Sequence, residues 1–183
     1  MGILKRFFSE IEGFKFLIRN IKNVEKLPEL NSKIIGEFCI ESCQKSDFNH
    51  VSKLHKLLRD GRGLNFWRKV LYKSKGKKLM FLIKDINKKI IGFQMFYFKE
   101  DEIENKIIHE AFIGIKREFR GNNLSAELRK YSIEHFSKTG LSAISTNIPT
   151  NNEPSITSAQ KSGFKLHKEK TKNNILRFFY YFK

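Results

Sequence analysis

Apolar positions along the chain change their spacing from one segment to the next, and the change marks the elements. Near the start, Leu4, Phe7, Ile11, Phe14, Ile18 and Ile21 recur in steps of three and four, one stripe on a helix, with Lys5, Arg6, Lys15, Arg19 and Lys22 between them. Pro28 and the pair Asn31-Ser32 end that pattern. Residues 1–30 are therefore expected to form an amphipathic helical extension, and residues 31–183 the main domain. Such a helix either packs on its own domain, a second copy or a partner enzyme, or rests as a basic helix on an anionic membrane.

Beyond the extension, strand and helix patterns interleave. Ile34 to Glu41 reads as a strand, and Asp47 is placed to cap a helix carrying Val51, Leu54, Leu57 and Leu58. Gly61 and Gly63 interrupt it, and Phe66 to Tyr72 suggests a second helical piece. Leu79 to Lys84 and Ile90 to Phe98 are β-rich runs joined by a turn-like segment from Asp85 to Lys89. Ile107 to Ile115 is a further strand, Leu124 to Phe136 a helix, Leu141 to Ile148 a strand, Pro154 to Lys161 a short helix, and Ile175 to Phe182 a last aromatic strand. The order is that of an α+β domain, a meander of antiparallel strands followed by β-α-β-α-β.

Charge and cysteine content narrow the picture only a little. Lys and Arg number 36 against 19 Asp and Glu, a net charge of +17. That balance suits an acidic small ligand, an anionic membrane or nucleic acid. The basic residues are scattered and carry no nucleic-acid motif, so nucleic acid is the less favoured partner. Cys39 and Cys43 are expected to be reduced thiols, since two cysteines do not complete a zinc site. No stretch reaches the ~20 apolar residues of a membrane span. The first ten residues lack a signal-peptide pattern, and Arg6 stands where a myristoylation signal needs Ser or Thr. The expectation is a soluble cytoplasmic protein, with peripheral membrane contact through the first helix as the alternative.

The chemistry concentrates in the run from Ile115 to Leu128. An apolar strand ends at Ile115, a basic turn holding Arg120 and Gly121 follows, and a helix begins at Leu124. Such a turn gathers unpaired backbone N–H groups and the positive end of a helix at one point, which is a site for a phosphate or pyrophosphate.

This run resembles the Gcn5-related N-acetyltransferases (GNAT), whose motif Arg/Gln-x-x-Gly-x-Gly/Ala follows their fourth strand. Arg120 and the pair Arg120-Gly121 match it, while Asn123 and Ser125 stand at the two later small-residue positions. Asn tolerates left-handed backbone angles, so Asn123 is suited to the same turn. The segment from Asn152 to Phe164 is similar to the family's later motif, an Asn, a short helix and a closing Lys-x-Gly-Phe formed here by Lys161, Gly163 and Phe164.

The resemblance implies a mixed, mostly antiparallel sheet of six to seven strands flanked by helices, an α/β/α sandwich. It implies acetyl-CoA as acyl donor, no metal, and direct attack of a neutral amine on the thioester. Cofactor contacts would then come from Ile113, Gly114 and Ile115 on the strand, from Arg120, Gly121, Asn122, Asn123, Leu124 and Ser125 in the turn, and from Asn152, Ser155 and Lys161 in the later motif. His109 and Glu110 are adjacent on the strand where the family often places a carboxylate, so they face opposite sides and only one can serve as base. The family's usual general acid, a tyrosine, is replaced by Ala159. Ser155 shares its face one turn earlier. The acceptor implied is a small amine, with an amino sugar or nucleotide-linked amino sugar of surface polysaccharide synthesis preferred. A protein, peptide or aminoacyl-tRNA amine is the competitor, and a non-catalytic basic binding module the reading from another class. Phe66, Trp67 and Tyr72 are candidates to line the acceptor pocket.

Overall fold

A computed structural model describes residues 2–167 and 174–183, with the side chains of residues 6–167 and 174–183. A 23-residue helix, α1 (Gly2–Val24), precedes the sheet. Strands β1 (Lys33–Ile35) and β2 (Phe38–Ser42) lead into helices α2 (Phe48–Leu58) and α3 (Phe66–Leu79). Strands β3 (Met80–Lys84), β4 (Ile90–Tyr97) and β5 (Ile107–Ile115) form a meander, followed by α4 (Leu124–Phe136), β6 (Ala143–Pro149), α5 (Glu153–Lys161), β7 (Lys165–Leu166) and β8 (Ile175–Tyr181).

One sheet holds all eight strands in the order β1-β2-β3-β4-β5-β6-β8-β7. The β5–β6 pair, connected through α4, is its parallel step, and the other pairs are antiparallel. The fold is the expected mixed α/β sandwich, with more strands than the six or seven expected. The run Ile34 to Glu41 is a hairpin and not one strand, because Gly36 turns the chain at φ 56° and pairs β1 with β2. β7 is two exposed residues, too short for an alternating pattern to reveal.

The second helical piece is longer than Phe66 to Tyr72, since α3 runs on to Leu79 with a kink at Lys75. The lysines from 73 to 78 hide its periodicity, but Gly76 and Leu79 are buried. Between β3 and β4 the turn closes as expected, with Asp85 N–H donating to Lys89 O and the Asp85 carboxylate accepting from Lys89 N–H.

Apolar side chains of the two sheet faces make the core. Phe81, Phe96 and Phe136 cluster beneath α4, and Phe93 and Phe112 meet His55 of α2 on the other face. α1 adds an outer layer by packing on α3. A Cβ at Gly13 would lie 2.0 Å from the Trp67 ring, so glycine there lets the indole sit against the helix. The face that packs carries Gly13, Leu17, Asn20 and Val24, whereas Phe7, Phe14 and Ile18 of the expected stripe are exposed. At 100° per residue the two faces lie roughly a quarter to a third of a turn apart.

Candidate functional site

The sheet opens at the middle of β5. At His109 and Glu110 this strand pairs on both edges, with β4 on one side and β6 on the other, while Ile107 and Ile108 pair with β6. Met95 then pairs with Phe112 and Phe96 with Glu110, which leaves Ala111 as the extra residue of a bulge. A bulge bends its strand and sharpens the local twist. Past it β5 keeps its pairing with β4 up to Ile115, while β6 continues to Pro149 paired with β8. The wedge between them is a cleft of about 440 Å³ lined by Phe112, Ile113, Gly114 and Ile115, by the turn at Arg120, Gly121, Asn123, Leu124 and Ser125, and by Asn152 and Ser155. Leu58 of α2 and Arg129 of α4 complete it.

The turn after β5 leaves backbone amides and a helix N-terminus open to the cleft. A 3₁₀ turn at Arg117–Phe119 leads to Gly121 at φ 90° and Asn123 at φ 55°, both left-handed. A Cβ on Gly121 would meet nothing within 4 Å, so glycine is set there by backbone angle and not by crowding. Arg120 N–H closes on Arg117 O, and the next backbone donors along the described chain are Ala126 and Glu127, both to Asn123 O. Among the described residues the amides between them, 121–125, give no backbone hydrogen bond. They sit at the positive end of α4. Arg120 Nε donates to Ile115 O at 3.2 Å, tying its guanidinium to the end of β5. An arrangement of this kind fits a pyrophosphate and the chain that follows it along the free edge of β5.

α5 reaches the cleft with its first turn. Asn152 caps it, accepting from Ser155 N–H at 3.3 Å, and Gly163 at φ 87° follows its last turn. Ser125 and Ser158 hydroxyls join at 3.0 Å and fasten α5 to α4. Lys161 is in the last turn of α5, exposed and outside the cleft lining. Ala159 is buried against the core, with no hydroxyl to offer.

The two titratable residues expected on β5 are both buried and both outside the lining of the cleft. Glu110 takes a two-pronged hydrogen bond from Arg129, at 2.8 Å to Oε1 and 3.1 Å to Oε2. Gln94 donates to Oε2 at 2.6 Å and Thr146 to Oε1 at 3.0 Å. Burial alone would raise the pKa of Glu110, but the Arg129 charge and these hydrogen bonds outweigh it and hold the carboxyl below its ordinary value. Each oxygen already accepts two hydrogen bonds, so no lone pair is left to receive a proton.

His109 points to the other sheet face, against Tyr97. Ser145 donates its single hydroxyl proton to Glu102 at 2.7 Å, so His109 Nδ1 must donate to Ser145, also at 2.7 Å. Arg177 Nη2 donates to the same Glu102 at 2.7 Å. Burial, with Lys99 nearby, pushes the His109 pKa down to about 3, so the ring is neutral around pH 7.

Sequence reasoning missed Arg129. Its side chain is wholly buried, yet it forks onto Glu110 while Nη1 donates to Ser155 O and Nη2 to Ser155 Oγ, each at 3.3 Å. It thereby locks the first turn of α5 to β5 at the floor of the cleft. Its one signal is position: Arg129 follows Leu128 on the inward side of a helix, where an unpaired arginine would be costly. Phe66, Trp67 and Tyr72 are outside the cleft lining. Trp67 bonds Glu10 of α1 through Nε1 at 2.9 Å, Tyr72 is buried, and Phe66 is exposed. Cys39 and Cys43 are both unpaired, and burial pushes the Cys43 thiol up to about 12.

A second, basic pocket of about 540 Å³ adjoins the cleft at Leu57 and Lys116, the chain neighbours of Leu58 and Ile115. His50, Lys53, Lys88, Lys89 and Lys116 line it over Leu54, Leu57 and Ile90. Its single carboxylate, Asp47, is already engaged by Lys84 at 3.2 Å and by Gln44 N–H at 3.0 Å.

The sequence profile of the acetyltransferase (GNAT) family matches residues 45–164, more than half of the chain and every residue lining the cleft. No curated protein sequence matches. Solved structures share the fold at low identity. The structure of yncA from Salmonella typhimurium with its cofactor acetyl-CoA superposes with a TM-score of 0.67 at 12% identity, over 81% of this chain and 95% of that one. Spermidine N-acetyltransferase from Vibrio cholerae in complex with CoA and spermine gives 0.61 at 14% identity, over 80% and 96%. Ribosomal-protein-S5-alanine acetyltransferase from Vibrio fischeri gives 0.63 at 15% identity, over 83% and 97%.

Proposed function

Because the chain belongs to the GNAT acetyltransferase family, we propose that it transfers an acetyl group from acetyl-CoA to the amine of a phosphorylated acceptor. One observation carries the reading: the wedge beside β5, where a free strand edge runs straight into the amides of 121–125. In this role those amides and Arg120 hold the pyrophosphate, and the edge of Ile113 to Ile115 pairs with the pantetheine arm and donates N–H to the thioester oxygen. Acetyl-CoA supplies the activated acyl group. The amine nitrogen bonds to the acyl carbon, the carbon–sulfur bond breaks, and the thiolate leaves.

Protons move without His109 or Glu110. His109 is buried outside the cleft lining and Glu110 has both oxygens filled, so the amine proton goes to water. Ser155 Oγ accepts from Arg129 and keeps its own proton free. From the cleft wall this hydroxyl donates a hydrogen bond to the departing thiolate, which then takes its proton from water, a task for which Ala159 has no group. Arg129 acts through Ser155, as a positioning residue.

The acceptor is inferred from the basic pocket beside the cleft. Four lysines repel a polyamine and attract phosphate. An amino sugar carried on a nucleotide diphosphate, as used in surface polysaccharide synthesis, combines the amine with that charge. Free-thiol release from acetyl-CoA, measured with nucleotide-linked amino sugars and with spermidine at equal concentration, tests it. Turnover with the former and little with the latter is expected; the reverse order would overturn the acceptor assignment, and no turnover with any amine would overturn transfer itself.

A further inference from the structure

Among the described residues the outward face of α1 is left largely uncovered, and its side chains are the wrong kind for water. Phe7 is 62% exposed, Phe14 52% and Ile18 50%, all on one stripe, with Phe8 beside it. The patch crosses onto α3: Phe14 and Phe66 both contact the Trp67 ring, at 5.8 and 5.1 Å between centroids, and Phe66 is 64% exposed. Contiguous apolar surface of this extent marks a docking site.

Charge selects the occupant. Glu10 is held by the Trp67 indole and Glu12 by Lys15, so the nearest carboxylates are already engaged. Arg6 and Lys22 on α1, and Lys69 and Lys73 on the Phe66 side of α3, have no carboxylate partner among the described residues. A second copy, itself at +17, would set these cations against their own kind. An anionic bilayer neutralises them and receives the phenyl rings at the level of its headgroups. No helix among the described residues is long and apolar enough to cross a membrane, so the contact is with the surface.

We propose that α1 and the Phe66 end of α3 dock the protein on an anionic membrane surface, with Phe7, Phe14, Ile18 and Phe66 inserted among the headgroups. The test uses the full chain and a triple variant, Phe7→Ser, Phe14→Ser and Ile18→Ser. All three positions are exposed, so its melting temperature should match the parent. Sedimentation is measured with vesicles of three parts phosphatidylcholine to one part phosphatidylglycerol, and with phosphatidylcholine alone. Binding to the anionic vesicles at least about tenfold tighter than to the neutral ones is expected, with a loss of about tenfold or more in the variant. Equal binding by variant and parent, equal binding to both vesicle types, or no binding would each overturn the proposal. So would a dimer in analytical ultracentrifugation that the variant dissociates, since the face would then belong to a second copy.

Discussion

The two halves of β5 put the same kind of sequence to opposite uses. In the first half the strand pairs with β6 from Ile107 to Glu110 and also with β4 at His109 and Glu110, whose polar side chains are buried in closed networks. From Phe112 to Ile115 it has apolar side chains and a glycine, and one edge faces the cleft. A carboxylate and a histidine in a strand look like catalytic groups, yet here they are the rivets. In the proposed function the reactive surface is the backbone of the half that has no titratable residue at all. The bulge at Ala111 divides the halves, and it also puts His109 and Phe112 on the same face despite their odd spacing, against Tyr97 and His55 respectively.

The comparison breaks most visibly if the paired half is damaged. Arg129→Met should leave Glu110 buried and alone, at a cost of about 3–5 kcal/mol in stability. Urea unfolding reads it, and Arg129→Met with Glu110→Met should recover much of the loss. If Glu110→Gln instead kept its stability and lost the alkaline-rising limb of the kcat/KM profile, Glu110 would be a base after all.

A smaller effect should appear with pH. His109 is neutral when folded, with a pKa of about 3, and takes up a proton on unfolding below about 6.5. Stability should therefore fall as pH drops from about 6.5 towards 3, by up to about 1.4 kcal/mol per pH unit from this group. Glu110 adds to the loss below about 4.5, where the unfolded carboxyl takes up its proton before the folded one, and its share is complete once pH has fallen through the lowered folded value. A His109→Gln variant should show a flatter profile above pH 5.

In the open half, Gly114→Ala should cost about 1–3 kcal/mol by overpacking, since the new Cβ would lie 2.7 Å from the Phe112 ring and 2.8 Å from Leu58. Calorimetric titration should show weaker acetyl-CoA binding as well. Ser155→Ala should leave the KM for acetyl-CoA near that of the parent and lower kcat about tenfold to a hundredfold. An unchanged kcat would return the leaving group to water.

The anion turn was the part most legible in the sequence, because its devices are local. A strand end, Arg120-Gly121, a left-handed Asn123 and a helix starting at Leu124 are close in the chain and need no tertiary knowledge. The bounds of β5 and α4 follow their apolar periodicity for the same reason. Arg129 and the sealed state of Glu110 depend on residues 16 to 36 positions apart meeting in one place, through Gln94, Thr146 and Arg129, and no spacing rule announces that. The packed face of α1 was not legible because its partner is Trp67, far along the chain, and a glycine serves as its contact. Hydrophobicity alone pointed to the stripe that faces outward.

Acetyl-CoA binding to the wedge beside β5 is most directly tested by thermal unfolding with two ligands. Acetyl-CoA at about a hundredfold above its Kd should stabilise the chain by roughly 2.7 kcal/mol and raise its melting temperature. S-acetylpantetheine, which lacks the pyrophosphate, should shift it far less at the same concentration. No shift with acetyl-CoA, or equal shifts with both, would contradict the assignment of the turn at Arg120 to Ser125.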